Sequence, residues 1–479
     1  MLKKNILFNL ILSVSQVLFP LIIFPYASRV LEPQGIGSVA FIDSITSIFL
    51  LVAYLGIPIY GVREISKVKD SPSKLNDLYG ELIIIHFAST LLLGIIYLGS
   101  SFVFSALIVH RNLIYIGLCT LIFNVFITEW FFQGIEDFSY ITKRTLLIRI
   151  VFIVLLYTFV KSKEDTLLYY GLMSLSFLFN ALFNYLHARK QVKISFKNIN
   201  LKRHLKPLLT ILGSNLAISI YLLIDTTVLG LLKGEVIVGY YSTAVKITKI
   251  SITLITALGI VLIPQISKAF SESNFKRVNE LIDKSINYTS TLAVPICFGI
   301  IITAPFLVDI IVGPKFHESI LLIRVLAAIT VIIGFTNVFA WQILTPLGKD
   351  KIIFTIVTVG MIINLSLNLA IVPFFSALGA TIINVFTEAF VMLMTFYNVR
   401  KLNIVSINYR YLIDAVIGSL FFIPIKFVFN YFVLNSFLQN ILTVLCCAAF
   451  YAIYQIFFVK NELITSSLLN VKSKLFASS

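Results

Sequence analysis

Residues 82–101 read LIIIHFASTLLLGIIYLGSS and contain no charged side chain. The run is as long as a helix that crosses the hydrocarbon core of a bilayer, which needs roughly 20 residues. Its apolar residues follow one another without the alternation that marks the strands of a membrane β-barrel. The run therefore predicts a membrane-spanning α-helix.

The rest of the chain repeats this pattern over 479 residues, of which 58% are hydrophobic and 13% are charged. Soluble proteins contain about 25% charged residues, and a soluble domain has too much surface to hide so many apolar side chains. We expect an all-α polytopic membrane protein with about fourteen transmembrane helices. The candidate spans lie near residues 6–30, 38–60, 81–108, 112–133, 145–160, 166–187, 208–232, 238–263, 286–312, 318–346, 352–373, 377–398, 410–429 and 437–459.

The net charge of +16 reflects the distribution of 38 lysines and arginines between the spans. With the N-terminus inside, 28 of them lie on inner segments, 6 lie on outer segments, and four lie within spans. Inner loops of membrane proteins are enriched in Lys and Arg, so both termini are predicted in the cytoplasm. The positive charge thus marks a membrane face, and no nucleic-acid partner is expected.

No motif for a cofactor, nucleotide or metal stands out. The sequence lacks the G-x-x-x-x-G-K-[ST] loop of nucleotide-binding proteins, and no Cys/His cluster has metal-ligand spacing. All four cysteines fall in apolar runs, where we expect reduced thiols rather than disulfides. We therefore expect a transporter without a nucleotide-binding motif, a cofactor or a metal.

An internal repeat of about 200 residues divides the spans. Residues 31–37 read LEPQGIG after span 1, and residues 233–239 read KGEVIVG after span 7, 202 positions later. Parallel repeats related by a pseudo-two-fold axis along the membrane normal are a transporter architecture. We predict an N-lobe of spans 1–6, a C-lobe of spans 7–12, and a segment with spans 13 and 14 and a cytoplasmic tail. Their limits are residues 1–200, 201–403 and 404–479.

Five charged residues lie in the first two spans of each repeat: Arg29, Asp43, Asp225, Lys246 and Lys249. A charge at mid-bilayer costs about 2.5–3.5 kcal/mol on insertion scales, so each one needs a reason. Lys246 and Lys249 share one helical face because they are three residues apart. The two-fold axis would make these spans face each other. We infer a wet cavity with net positive charge, suited to an anionic and highly polar ligand.

Other charges within spans leave alternatives open. Arg324 and Glu388 are balanced between a cavity role and a structural one. Asp309, Asp414 and Lys426 lie near span ends, where reaching the interface is the favoured explanation. Charged pairs that only lock helices together are a further alternative. Three neutral polar residues within spans are predicted to serve packing or helix-to-helix hydrogen bonds: His86, Asn364 and Asn368.

Four motifs at span ends can be read together. They are PYASRVL at residues 25–31 followed by PQGIG at 33–37, GIPIYGVREI at 56–65, EWFFQG at 129–134, and GYYS at 239–242 with Ala244 and Lys246. The combination resembles the Wzx-type oligosaccharide flippases of the multidrug/oligosaccharidyl-lipid/polysaccharide exporter (MOP) superfamily over roughly residues 1–400. One departure is Glu32, which stands where a glycine is usual in that family.

The resemblance implies a translocase of the bacterial inner membrane. Its cargo would be undecaprenyl-diphosphate-linked oligosaccharide repeat units for O-antigen, capsule or exopolysaccharide, moved by alternating access. Arg29, Arg63 and Lys246 match the family pattern and are expected to bind this substrate. The implied partners are the lipid-linked oligosaccharide, membrane lipids, a glycan polymerase and a chain-length regulator.

The charged residues within the spans suggest further roles. Lys249, with Arg29 and Lys246, would attract the diphosphate or acidic sugars, and Arg324 joins the substrate-binding set. Asp43 and Asp225 would balance these charges in the empty site. Two carboxylates are candidates for coupling to an ion or proton gradient: Asp225 and Glu388.

Two other functions stay open from the sequence. A flippase for the lipid-linked peptidoglycan precursor would have the same number of spans. A membrane glycan polymerase belongs to a different class, and the short outer loops argue against it. A positive cavity would repel the cargo of a cation exporter.

Overall fold

The computed structural model describes residues 2–193, 199–431, 435–461 and 465. No strand occurs in these ranges, and nearly every described residue is helical. Short 3₁₀ turns lie at Lys163–Asp165 and Pro314–Phe316, and π-helical segments lie at Asn337–Leu344 and Tyr454–Phe458. The α-helices are α1 (Leu2–Tyr54), α2 (Ile57–Val68), α3 (Pro72–Val103), α4 (Ser105–Ile108), α5 (Arg111–Asn124), α6 (Glu129–Gly134), α7 (Phe138–Phe159), α8 (Thr166–Ala188), α9 (Lys202–Lys233), α10 (Glu235–Ser271), α11 (Phe275–Ile311), α12 (Ser319–Leu326), α13 (Ala328–Thr336), α14 (Asp350–Lys401), α15 (Arg410–Leu420), α16 (Phe422–Tyr431) and α17 (Ser436–Ile453).

The helices cover all fourteen predicted segments, and the all-α class is confirmed. Nine helical stretches in the described ranges are long and apolar enough to cross a membrane. Two of them, residues 7–68 and 350–401, are 62 and 52 residues long, more than twice the roughly 20 residues of one crossing. The backbone leaves the helical conformation at Glu32 in α1 and at Ser376 in α14. Each of these stretches thus contains more than one segment, and the exact count of fourteen remains a prediction.

Packing divides the chain into two compact units. The first comprises residues 1–242 and 368–377, and the second comprises residues 243–367 and 378–479. Helix α9 belongs to the first unit, where it packs on α1. The predicted lobes follow the sequence repeat rather than packing, and their boundaries stay a prediction. Most of the predicted cytoplasmic tail lies outside the described residues, as do Lys197, Lys472 and Lys474.

The core of the first unit forms around α2, α3 and α6. Trp130, Phe131 and Phe132 of α6 are buried there and pack with residues of α2 and α3. Gly61 of α2 lies against the Trp130 indole, and Gly134 of α6 lies against Ile65. Two motifs on which the family resemblance rests, residues 56–65 and 129–134, are therefore in direct contact.

The core of the second unit joins α11, the π-helical segment and α14. Ile282, Phe339 and Ile343 are among its buried members. The buried amide of Gln342 lies inside this layer and hydrogen-bonds the Ser285 hydroxyl. A polar pair of this kind can hold helices together in lipid, where apolar side chains gain little from leaving a hydrocarbon solvent.

Candidate functional site

The candidate site contains two equivalent positions at which the backbone leaves the helical conformation. One is Glu32 in α1, and the other is Gly234 between α9 and α10. Glu32 has φ 60° and ψ 178°, and Gly234 has φ 82° and ψ 176°. This region of φ/ψ space is essentially restricted to glycine. The sequence repeat pairs these two positions, and the backbone confirms that local pairing. Glu32, the departure from the family pattern, thus adopts a glycine-type conformation.

The segments that follow the two breaks, residues 31–37 and 233–239, form what we call the loop pair. A Cβ atom on Gly37 would lie 1.7 Å from the carbonyl oxygen of Glu235. A Cβ atom on Gly239 would lie 2.0 Å from the carbonyl oxygen of Pro33. The two contacts exchange equivalent residues of the repeat, so they are reciprocal. Only glycine permits the backbones to approach this closely.

Polar contacts surround the loop pair. Glu235 accepts a hydrogen bond from the Gln34 amide at 3.3 Å and lies 3.6 Å from the His110 imidazole. Ser44 and Thr227, on the helices that carry the two segments, are joined at 2.9 Å through their hydroxyls. A cavity of about 470 Å³ adjoins the pair, with Gln34, His110 and Glu235 in its wall. Close backbone packing and polar side-chain contacts therefore both occur at the loop pair.

Asp225 lies on α9 and is 2% exposed. One carboxylate oxygen accepts a hydrogen bond from the Tyr241 hydroxyl at 2.6 Å, and the other accepts one from the Asn368 amide at 2.8 Å. Three helices, α9, α10 and α14, thus meet at one buried carboxylate. The prediction that Asn368 makes a helix-to-helix hydrogen bond is confirmed.

Asp43 lies half-buried on the second half of α1, while Arg29 is exposed before the break. A cluster of hydroxyl groups lies near Asp43, and the Thr46 oxygen contacts the hydroxyls of Tyr97 at 2.8 Å and Tyr170 at 3.1 Å. Both tyrosines experience the charge of Asp43 electrostatically. Asp43 is thus part of a polar layer inside the first unit.

Arg63 lies apart from this layer. It is on α2, beyond the end of α1 that lies opposite to Glu32. About 20 helical residues at 1.5 Å each separate those ends, which is roughly 30 Å. The Arg63 guanidinium contacts the Glu64 carboxylate at 2.9 Å and lies 5.3 Å from the Tyr60 ring centre. The structure therefore does not bring Arg63 together with Arg29.

The remaining predicted site residues belong to the second unit. Lys246 and Lys249 of α10 both have exposed side chains. Arg324 of α12 is exposed and donates a hydrogen bond to the carbonyl of Ile301 in α11 at 3.3 Å. Glu388 of α14 is 7% exposed. Glu388 is thus buried, whereas the three cations of this unit are exposed.

The three charges near span ends have partners. Asp309 contacts the His317 imidazole at 2.7 Å, and Asp414 lies 3.6 Å from its own-helix neighbour Arg410. Lys426 donates a hydrogen bond from α16 to the Asn440 side chain of α17 at 2.7 Å. Lys426 thus joins two helices, which matches the alternative in which charged groups lock helices together.

A further buried cluster has no counterpart among the predicted site residues. Glu81 of α3 is fully buried and lies 2.8 Å from the ring of His204, which is itself 2.7 Å from the Tyr60 hydroxyl. Arg203 also pairs with Glu81, and the backbone of Asn200 donates to it at 2.7 Å. The cluster fastens the start of α9 to α3. The partners are more than a hundred positions apart, so no local pattern could have announced them.

An exposed ion pair lies near this cluster in the chain. Lys69, after α2, contacts the Glu136 carboxylate, after α6, at 2.7 Å. The hydrogen bond with Glu136 raises the pKa of Lys69, and the same bond lowers the pKa of Glu136. The pair connects the loops that follow α2 and α6, two helices that also contact each other at Gly61 and Gly134.

Comparisons with known proteins agree with these features. The family described as "Polysaccharide biosynthesis protein" matches residues 2–270, more than half of the chain. A second family, MatE, matches residues 211–370. The chain is 24% identical over 398 residues to the "Putative O-antigen transporter" of Shigella dysenteriae, an alignment that covers 82% of this chain and 98% of that protein.

Solved structures establish the fold. Lipid II flippase MurJ in an inward closed conformation is similar with a TM-score of 0.79 and 14% identity, over 96% of this chain and 100% of that chain. An inward-facing multidrug resistance MATE transporter of the MOP superfamily gives a TM-score of 0.63 and 18% identity, over 81% of this chain and 94% of that chain. Motifs, fold and family match therefore agree: this chain is a multi-pass membrane protein that belongs to the family described as "Polysaccharide biosynthesis protein".

Proposed function

We propose that this protein is a flippase that moves undecaprenyl-diphosphate-linked oligosaccharide repeat units across the bacterial cytoplasmic membrane by alternating access. The translocated units would be used for O-antigen, capsule or exopolysaccharide. The names of the relatives support a transporter of lipid-linked glycans, and the family match supports a role in polysaccharide biosynthesis.

The loop pair is the observation that carries this proposal. Equivalent segments of two sequence repeats close on each other through reciprocal backbone contacts at Gly37 and Gly239. An alternating-access transporter needs a closure that can reopen at one membrane face. The close van der Waals contact between the two backbones is the proposed closure.

The cargo carries a diphosphate, and cations suit it by charge. We assign its attraction to Arg29, Lys246 and Lys249, with Arg324 as a further contact. Their exposed side chains support this role, because they are accessible to a polar ligand. Arg63, which is also exposed, would act at the opposite end of the path from Arg29.

Two buried carboxylates are proposed to couple transport to an ion or proton gradient. Asp225 and Glu388 are nearly inaccessible in this conformation. Intramembrane acids commonly mark ion or proton pathways. The hydrogen bonds of Asp225 with Tyr241 and Asn368 join three helices, so a change at this carboxylate would alter the contacts of all three. Asp43, half-buried, would balance positive charge in the empty site.

The topology and partners complete the proposal. Both termini are proposed to lie in the cytoplasm, because 28 lysines and arginines fall on that side and 6 on the other. The loop pair then lies at the outer face. Without a recognisable nucleotide-binding motif in the sequence, the gradient is the proposed energy source. A glycan polymerase and a chain-length regulator would act on the product.

Complementation tests the function. The chain is expressed in a strain that lacks its own O-antigen transporter, and surface polysaccharide is measured together with protein level. We expect polymer to return with the wild-type chain and to fall strongly with Lys246→Ala. Wild-type polymer from the Lys246→Ala protein at normal abundance would remove Lys246 from the substrate path.

The MurJ-like fold favours a second candidate, a flippase for the lipid-linked peptidoglycan precursor. Cells depleted of that activity distinguish the two functions. We expect no rescue of their growth by this chain. Rescue, combined with no return of surface polysaccharide in the first strain, would reverse the assignment.

A further inference from the structure

His86 lies near the middle of α3, far from either end of the helix. Its side chain is 1% exposed, and within the described residues neither ring nitrogen has a hydrogen-bond partner. A neutral imidazole carries one donor and one acceptor, and burying both without partners is unfavourable because their bonds to water are lost. Packing alone would be served better by an apolar side chain of the same size.

Two more unpaired polar atoms belong to the same region. The hydroxyl of Thr90, one turn along α3 from His86, is buried without a partner in the described part of the chain, and so is the amide nitrogen of Asn124 in the neighbouring helix α5. Tyr54 connects them, because its ring stacks on His86 at 4.9 Å and its hydroxyl lies near Asn124. Two helices, α3 and α5, thus leave polar atoms unsatisfied around Tyr54 of α1.

This layer adjoins a break in the backbone. Tyr54 is the last residue of α1, and it is followed by Leu55 and Gly56, whose φ angles are 50° and 82°. Ser89, on α3 beside His86, donates a hydrogen bond at 2.6 Å to the carbonyl of Ala53. That carbonyl would otherwise be left open by the break. The turn of α3 that carries His86 is therefore fastened to this break.

The break also contacts α9. A Cβ atom on Gly56 would lie 2.7 Å from the Ile211 side chain and 3.2 Å from the Leu208 carbonyl oxygen. Any change in the backbone at Gly56 must therefore move against α9. The same helix carries Asp225 and ends at the loop pair. A chain of direct contacts thus leads from His86 through Tyr54 and Gly56 to α9.

We propose that His86 is a proton-binding site, at which uptake and release of one proton by the imidazole biases the break between α1 and α2. The unprotonated ring nitrogen accepts a proton from water when an open conformation hydrates the layer, and it returns that proton to water on the other side. No other bond forms or breaks. The inference rests on the proposed transport function and identifies the proton as a coupling ion.

The surroundings of His86 suit an imidazole that alternates between its neutral and protonated forms. The Tyr54 ring stacks on His86 and offers its face to an imidazolium. Beyond Tyr54, Glu129 acts electrostatically on its hydroxyl and pairs with Arg144. No acid contacts the ring among the described residues, so no permanent ion pair would trap the proton.

The test uses purified protein in lipid vesicles, with lipid-linked oligosaccharide and a pH-sensitive dye in the lumen. We expect His86→Gln and His86→Phe to reduce cargo-linked proton flux by about tenfold or more, as loss of an intramembrane proton carrier should. Gln keeps hydrogen-bonding groups and Phe keeps the stacked ring, so a purely structural role would be rescued by one of them. The control His317→Gln removes an exposed imidazole and should keep wild-type flux.

The outcomes are separable from the fate of the proposed function. Wild-type proton flux in both His86 variants would overturn the proposal, and so would cargo movement by the wild type without any proton flux. His86-dependent proton flux in vesicles that move no lipid-linked oligosaccharide would support the site and contradict only the cargo. The Phe variant should melt at the wild-type temperature or above, because it removes two unsatisfied nitrogens.

Discussion

The breaks at Glu32 and Gly234 share a backbone conformation but carry different side chains. Both have positive φ with ψ near 180°, and each is followed by a segment that contacts the other through a glycine. A non-glycine residue in this conformation costs about 1–3 kcal/mol. The tertiary contact of the loop pair therefore imposes the break on Glu32, whereas Gly234 adopts it freely.

The helices around the two breaks differ in polarity as well. Asp225 is buried beside the second break, and its counterpart 202 positions earlier is Ile23, which is also buried. Tyr241 holds Asp225, and its counterpart is Val39. The repeat thus preserves the backbone needed for closure and places the buried acid in one copy alone. Each of the following experiments changes either the backbone contact that the two breaks share or the residues in which the two repeats differ.

Gly37→Leu should have the largest effect, because its side chain would enter space filled by the backbone of Glu235, 1.7 Å from the Cβ position. Overpacking of this kind cannot be relieved by a side-chain rotation. We expect surface polysaccharide to fall by about tenfold or more at normal protein level. The matched control is Gly99→Leu, where, within the part of the chain that the structure describes, no heavy atom lies within 4 Å of the Cβ position. Normal polymer from Gly37→Leu would show that closure of the loop pair is dispensable.

Asp225→Ile makes the second copy resemble the first. It leaves the Tyr241 hydroxyl and the Asn368 amide without their acceptor, at about 1–3 kcal/mol each. We expect gradient-driven transport in vesicles to be lost. Asp225→Asn keeps an oxygen for these donors and removes the charge, so it should remain folded yet fail to couple. Wild-type transport by the Asn variant would assign Asp225 a purely structural role.

Gly234→Ala tests the conformational freedom of the second break. Space is available, since no heavy atom of the described residues lies within 4 Å of the Cβ position, but φ is 82°. We expect the free energy of unfolding in detergent to fall by about 1–3 kcal/mol. Gly213→Ala in helix α9, also without neighbours within 4 Å, should instead gain up to about 1 kcal/mol. Equal effects of both changes would argue against strain at residue 234.

Glu32→Gly should have the smallest effect and the opposite sign. Relief of about 1–3 kcal/mol of strain is partly offset by the greater freedom of glycine in the unfolded chain, about 0.5–1 kcal/mol. We expect the free energy of unfolding to rise by about 1 kcal/mol. A decrease, measured in the same unfolding assay, would mean that the Glu32 side chain stabilises the break more than its backbone strains it.

Parts of the candidate site could be predicted from the sequence. Asp225 stands out because a charge inside an apolar run is rare, and the repeat pairs residues 31–37 with 233–239 because each segment lies between two spans and ends in a glycine. The contacts of Asp225 with Asn368, 143 positions away, and the cluster of Glu81 with His204 carried no such signal. For His86 the sequence predicts packing or a helix-to-helix hydrogen bond. Only the packed helices reveal that, among the described residues, neither ring nitrogen has a hydrogen-bond partner.

The class of this protein, its helical segments and its family motifs follow from the amino-acid sequence, because a membrane helix closes its hydrogen bonds within itself and needs only a local run of apolar residues. Comparison of the two repeats within the sequence also identifies residues 31–37 and 233–239 as equivalent segments. The tertiary structure alone decides which polar groups meet, that Glu32 must take a glycine conformation, and that Gly37 and Gly239 lie against the opposite segment. These features depend on the faces that distant helices present to one another, and helix packing is a property of the assembled chain.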